Sequence, residues 1–299
     1  VTDFATTAEL RARGLRKRDI ELALGVGAMS RVRRGFYTTL SPDDPRVIAV
    51  QVGGQLTGIS AIAALGGWLA RAPSVIHVSV PRTHSRLREV PGVRIQVHWV
   101  DRPASTGGIA ALDEVLIRVA LDEDLETAVS CFDWALASGR LDRVDFELIM
   151  NALPGSAHVL RSWVDPRSQS ILESVARVRI LKRGWSVRSQ VRVGDYQSID
   201  LVVEGQVALE LDGREHHEIS FESDRRKDLL ITRDGRHGIR VTASMLWNHW
   251  ADVEHAIEVA LTARRVVPNA GKPLRVPTGR KRSPRARSGL PAHGTHSPE

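Results

Sequence analysis

Cysteine is all but missing from this 299-residue chain, where Cys131 stands alone. That excludes a disulfide framework and a cysteine-built zinc site, and it makes a reducing cytoplasm the expected compartment. Aromatic residues amount to only 5%, although seven of them are Trp. Long hydrophobic runs are also lacking. The most apolar stretch, Ile59 to Ala70, is broken by Gly66-Gly67 and falls short of the roughly 20 residues a membrane span needs. No basic-then-apolar pattern opens the sequence, so a soluble protein with no membrane partner is expected. What is present is 42% hydrophobic content, enough for two or three small cores.

The formal net charge of +7 is unevenly placed. From Arg264 onward nine basic residues face one acid, Glu299, which leaves residues 1–263 near −1. A second basic cluster lies in residues 1–40, with eight Lys/Arg against four Asp/Glu. Residues 268–299 are rich in Pro, Gly, Ser and Arg without apolar periodicity, the composition of a disordered basic tail.

These shifts in composition divide the chain into residues 1–40, 41–160, 161–267 and the tail 268–299. In the first segment, Thr6-Thr7-Ala8-Glu9 has capping-box spacing and starts a helix that stops at Gly14. A second helix follows on Ile20, Ala23, Leu24 and Gly27, a third is expected over Ala28 to Arg34, and Gly35 to Thr39 fits a strand. That is the outline of a winged helix-turn-helix, whose third helix would expose Ser30, Arg31, Arg33 and Arg34 to DNA. Arginine suits this role because its planar donors match guanine edges and phosphate oxygens. After the turn-rich Ser41-Pro42-Asp43-Asp44-Pro45 linker, the middle segment reads as an α+β domain. It has a helix over Ser60 to Leu69, strands over Val75 to Val80 and Val93 to Val100, and helices over Leu112 to Leu121, Leu125 to Ala137 and Arg143 to Leu153. His77, His84 and His98 lack metal-ligand spacing and read as structural histidines.

The third segment carries the chemistry. A helix over Ser170 to Lys182 should present Ile171, Val175 and Val178 on one face. Strands are expected over Trp185 to Val193, Gln197 to Val203 and Gln206 to Asp212, then an unassigned Arg-rich stretch, a strand over Gly238 to Thr242 and a Ser244-capped helix. Alternation sets Ala208, Glu210 and Asp212 on one face of their strand, and groups Ile199, Leu201 and Val203 opposite Asp200. Two carboxylates two residues apart among apolar neighbours are costly to bury ionised without a cation. Whether Asp200 joins them depends on the turn. A three-residue loop Val203-Glu204-Gly205, with Gly205 left-handed, pairs Asp200 with Ala208 and makes Glu210 its diagonal neighbour. Both would then reach one hard cation, Mg²⁺ or Mn²⁺.

Two resemblances follow from these residues. The stretches Ala8 to Gly14, Arg33-Arg34-Gly35-Phe36-Tyr37, Ser60 to Gly66 and His77 to Pro81 resemble AbiEi-type antitoxins, the repressor half of a toxin–antitoxin pair. The third segment resembles the restriction-endonuclease-like superfamily with its PD-(D/E)xK motif, a mixed sheet flanked by helices. It is similar above all to a family of unknown function related to very-short-patch-repair endonucleases. Those residues are Glu173-Ser174, Gly184, Gln190, Ile199-Asp200, Glu210-Leu211-Asp212-Gly213, His216, Asp224, Arg226-Lys227 with Asp228, and Arg240-Val241. The resemblance implies Asp200 and Glu210 as metal ligands, Asp212 in support, and Glu173 as a further site acid, although Ser170-Ile171-Leu172-Glu173 is also a plain capping box. The motif lysine is replaced by Asp212, so His216 or Lys227 would have to take over its part.

The expectation is an α/β multidomain protein that is a metal-dependent DNA endonuclease carrying its own DNA reader, alone, as a homodimer, or with a toxin or defence partner. The alternatives are a non-catalytic DNA-binding regulator of the antitoxin kind and an inactive partner in a defence or repair complex.

Overall fold

The computed structural model describes residues 3–84, 86–101, 107–194, 197–213 and 221–265. The described residues are mixed α/β, with three sheets and helices packed against them. His216, the side chain of Asp224 and the tail 268–299 lie outside the described residues. Among the described residues no helix is long and apolar enough to cross a membrane.

The first sheet is built from β1 (Phe4–Thr6), β2 (Ser30–Arg33) and β3 (Phe36–Thr38) in the order β1-β3-β2. Between β1 and β2 run α1 (Thr7–Ala12) and α2 (Lys17–Gly25). The capping box is real: Thr6 Oγ1 accepts from Glu9 N, and Thr6 N donates to the Glu9 carboxylate at 2.6 Å. The expected helix over Ala28 to Arg34 is not. Gly27, at φ +72, reverses the chain, and Ser30–Arg33 pairs antiparallel with β3, with Val32 turned inward against Phe4, Val47 and Val50. A four-residue run with one inward β-branched side chain gains more from a strand partner than from one isolated helical turn.

The middle region begins with α3 (Pro45–Val52), whose start is fixed by Asp44 accepting from Arg46 N and by proline in the first turn. Its Val47 and Val50 face the first sheet, while Ala49 and Val52 enter the largest core. That core is lined by the second sheet, β4 (Gln55–Leu56), β5 (Ile76–Pro81) and β6 (Ile95–Val100), with β5 and β6 parallel. Helices α4 (Gly58–Ala64), α5 (Leu112–Asp122), α6 (Leu125–Ala137), α7 (Arg143–Ala152) and α8 (Leu160–Trp163) complete it. Helix α4 ends five residues before the expected Leu69, because Gly66 adopts φ +76 and an added Cβ on Gly67 would strike Ile62.

Helix α9 (Ile171–Lys182) is buried on nearly all sides. Val178 packs into the middle core, whereas Leu172, Val175, Ala176 and Ile180 pack on the third sheet, so the single stripe expected from sequence is split between two cores. A charged network fastens α9 to α6. Asp133, fully buried, accepts from Asp165 N and Ser174 Oγ, both at 2.7 Å, and pairs with buried Arg177.

The third sheet has the order β10-β9-β8-β7, from β7 (Val187–Val193), β8 (Gln197–Val203), β9 (Val207–Asp212) and β10 (His237–Thr242). Strand β10 runs parallel to β9 and the other pairs are antiparallel. The Arg-rich stretch left unassigned from sequence is α10 (Phe221–Arg233), which covers one face with Leu230 and Ile231. The other face carries α9, α11 (Ala243–Asn248) and α12 (Trp250–Arg265). Thr242, not Ser244, caps α11, accepting from Met245 N, and the expected continuous closing helix is interrupted at His249.

Candidate functional site

The turn between β8 and β9 decides which acids meet. Glu204 and Gly205 both have positive φ, +50 and +67, and Gln206 N donates to Val203 O at 2.9 Å. Gln206 is then the extra residue, so Val203 faces Val207 and Leu201 faces Leu209. The loop expected over Val203-Glu204-Gly205 is therefore displaced by one residue, and Asp200 does not face Ala208, which pairs with Val202. The ladder ends at Leu201 and Leu209, one residue short of Asp200 and Glu210. The two acids still lie near enough for the charge of Asp200 to raise the Glu210 pKa. Alternation also breaks nearby: Ile199 packs with Val202 and Ala208 rather than with Leu201 and Val203, beside Gln190 at φ +51. A non-glycine residue held at positive φ within a strand stores strain that surrounding contacts must offset.

Glu210 is 6% exposed. Its Oε2 pairs with Lys227 Nζ from α10, while its Oε1 is buried with no hydrogen-bond partner among the described residues. Burial and then the charge of Asp200 push its pKa up to about 7, against the pull of Lys227 and Arg240. Asp200 Oδ2 accepts from Leu211 N at 2.8 Å. Burial raises the Asp200 pKa too, assisted by Asp212 and opposed by the Leu211 N–H and Lys227.

Glu173 sits at the start of α9, beside the acids of the sheet. Ser170 Oγ caps the helix by accepting from Glu173 N, while the Glu173 carboxylate accepts from Gln169 N rather than Ser170 N, from Ser170 Oγ, and from Gln190 Nε2 at 2.9 Å. Burial raises its pKa, and the charge of Asp200 adds to the shift, so Glu173 borders the same acidic centre. Gln190 in turn accepts from Ser198 Oγ at 2.7 Å. Asp212 lies towards solvent, 3.8 Å from Arg240 Nη1, and Arg240 Nη2 donates to Asp228 Oδ1 at 3.1 Å.

The fold thus gathers Glu173, Asp200, Glu210, Asp212 and Lys227. Ser30, Arg31, Arg33 and Arg34 stand apart on the β2–β3 hairpin, where Arg31 stacks over Tyr37 and Arg33 over Phe36. Gln190, Asp228 and Arg240 were noted in sequence only as points of resemblance. Their roles needed the parallel pairing that sets Arg240 beside Glu210. Among the described residues, the acids of this sheet do not bring three ligand atoms within 4.8 Å of one another.

Comparison with known proteins adds little. No family model matches the chain, and no curated protein does. A solved structure, the RV2827C protein from Mycobacterium tuberculosis, is similar at 16% identity and a TM-score of 0.29, covering 58% of this chain and 76% of that one. A likeness at that score carries no argument about function.

Proposed function

We propose that the third domain is a metal-dependent DNA endonuclease acting in the cytoplasm, with the first domain as its DNA reader. The observation that carries this reading is Glu210: a buried carboxylate near Asp200, one oxygen engaged by Lys227 and the other without a hydrogen-bond partner among the described residues. Leaving such a group unsatisfied is costly unless a ligand completes it. Mg²⁺ or Mn²⁺ fits this donor set, because hard cations take carboxylate oxygens and suit a pair that resists carrying two charges alone. When bound, the cation would neutralise phosphate charge and activate water for phosphodiester hydrolysis.

The chain's own residues do the rest in this reading. Asp200 is held by the Leu211 N–H and by the Gln190 side chain. Lys227 supplies, from a helix, the cation that the motif normally places two residues after the glutamate. It orients Glu210 and steadies negative charge developing on phosphate. Arg240 restrains Asp212 at the rim, and Glu173 with Gln190 buttresses the Asp200 side. In the first domain, the order β1-α1-α2-β2-β3 supports a winged-helix reading in which α2, opening with Lys17 and Arg18, is the reading helix. Ser30, Arg31, Arg33 and Arg34 then form the wing.

A second reading, a DNA-binding regulator with a disused nuclease fold, draws on the same Lys227–Glu210 pair, since it neutralises one acid without a metal. Purified protein should cut duplex or single-stranded DNA with Mg²⁺ or Mn²⁺, and Asp200→Asn should abolish cutting while leaving DNA binding intact. Wild-type protein that binds DNA but never cuts it, across both metals and both substrates, replaces the nuclease with the regulator.

A further inference from the structure

His77 and His98, 21 residues apart in sequence, come together because β5 and β6 are parallel neighbours. Both rings are buried and stack with centroids 5.2 Å apart. His98 Nε2 lies 3.2 Å from His77 Nδ1. Asp122, at the end of α5, brings its Oδ2 to 3.6 Å from His98 Nε2 and 4.0 Å from His77 Nδ1. Three atoms at these separations share a point about 2.1 Å from each, the length of a zinc–nitrogen or zinc–oxygen bond.

We propose that His77, His98 and Asp122 form a binding site for a zinc-class divalent transition ion, separate from the acids of the third sheet. Two imidazoles and one carboxylate are the donors such ions favour, whereas Mg²⁺ prefers an all-oxygen shell. The surroundings are shaped for it. Arg118 Nη1 engages the other Asp122 oxygen, Oδ1, at 3.3 Å and leaves Oδ2 turned to the rings. Gly58, at φ +52, lies against the site, and a Cβ there would approach Arg118 Cγ to 3.0 Å and His77 Nδ1 to 3.5 Å. Backbone pairing fixes His77: its N–H donates to Ser60 Oγ at 3.0 Å and its carbonyl accepts from Thr57 N at 3.0 Å. His77 also lines a cavity of about 670 Å³ together with Glu123, Asp124, Arg179 and Trp247.

The test is a Co²⁺ titration of the full-length, chelator-treated protein, read by visible absorption. One Co²⁺ per chain should give intense four-coordinate bands that Zn²⁺ displaces. His98→Gln should remove the bands, and Asp122→Asn, at a partly exposed position, should weaken binding at least about tenfold. The double variant Asp200→Asn/Glu210→Gln should keep the bands, as should His293→Gln/His296→Gln. Absence of saturable Co²⁺ binding by the wild type overturns the proposal. So do bands that survive unchanged in both His98→Gln and Asp122→Asn, or that vanish only with the sheet or tail variants.

Discussion

Replacing Glu210 by glutamine removes a charge that the fold resists while keeping the shape of the side chain. Burial and Asp200 raise its pKa from 4.5 to about 7 even with Lys227 beside it. A carboxyl raised in the folded state contributes its full stability below the unfolded value and loses it as pH climbs through the folded one. The window therefore runs from about pH 4.5 to just above pH 7, and a shift of that size corresponds to about 3 kcal/mol. Glutamine does not titrate, so the stability difference between Glu210→Gln and wild type should move by about 3 kcal/mol in the variant's favour between pH 4.5 and pH 8. Urea unfolding followed by tryptophan fluorescence measures it, since Trp185 and Trp250 pack in the core on this sheet. Saturating Mg²⁺ should narrow the gap at pH 8 by stabilising the wild-type charge. Parallel pH profiles, offset by a constant amount, would refute the claim that burial makes this carboxylate costly to ionise.

Lys227→Ala should reduce DNA cleavage about 10²–10³-fold with little change in DNA affinity, the loss typical of removing one charge-stabilising donor; single-turnover rates within threefold of wild type would end its part as the displaced motif lysine. Alanine at Arg31 and Arg34 should each lower the salt slope of DNA binding by about one in a mobility-shift series, and an unchanged slope removes the hairpin from the interface. Asp133→Ala should destabilise the protein by about 3–5 kcal/mol in chemical denaturation, because Arg177 is left charged and buried without its partner; a loss under 1 kcal/mol would show that the α6–α9 network contributes little.

Much of the local structure was legible along the chain. Helix α6 runs over Leu125–Ala137 as its periodicity predicts, and Ser170 caps α9 by accepting from Glu173 N. Asp200 and Glu210 stand out in sequence because charged residues between apolar strand neighbours have no cheap explanation. These features depend on neighbours three or four residues apart on a helix, or on alternation along one strand. Properties that depend on a second, distant segment were decided only by the tertiary structure. Ser30–Arg33 became a strand because β3 was available to pair with it, which local charge and spacing do not encode. The register of β8 against β9 turned on one extra residue, Gln206, after two positive-φ positions. Lys227 and Arg240 reach the acids only once α10 covers the sheet and β10 lies parallel to β9. His77, His98 and Asp122 meet because a parallel crossover aligns residues that no sequence spacing links. Sequence alone determined which charged residues stand among apolar strand neighbours, since that follows from residue type against its immediate surroundings; which side chains lie together was fixed by packing, because proximity between remote segments exists only in the folded chain.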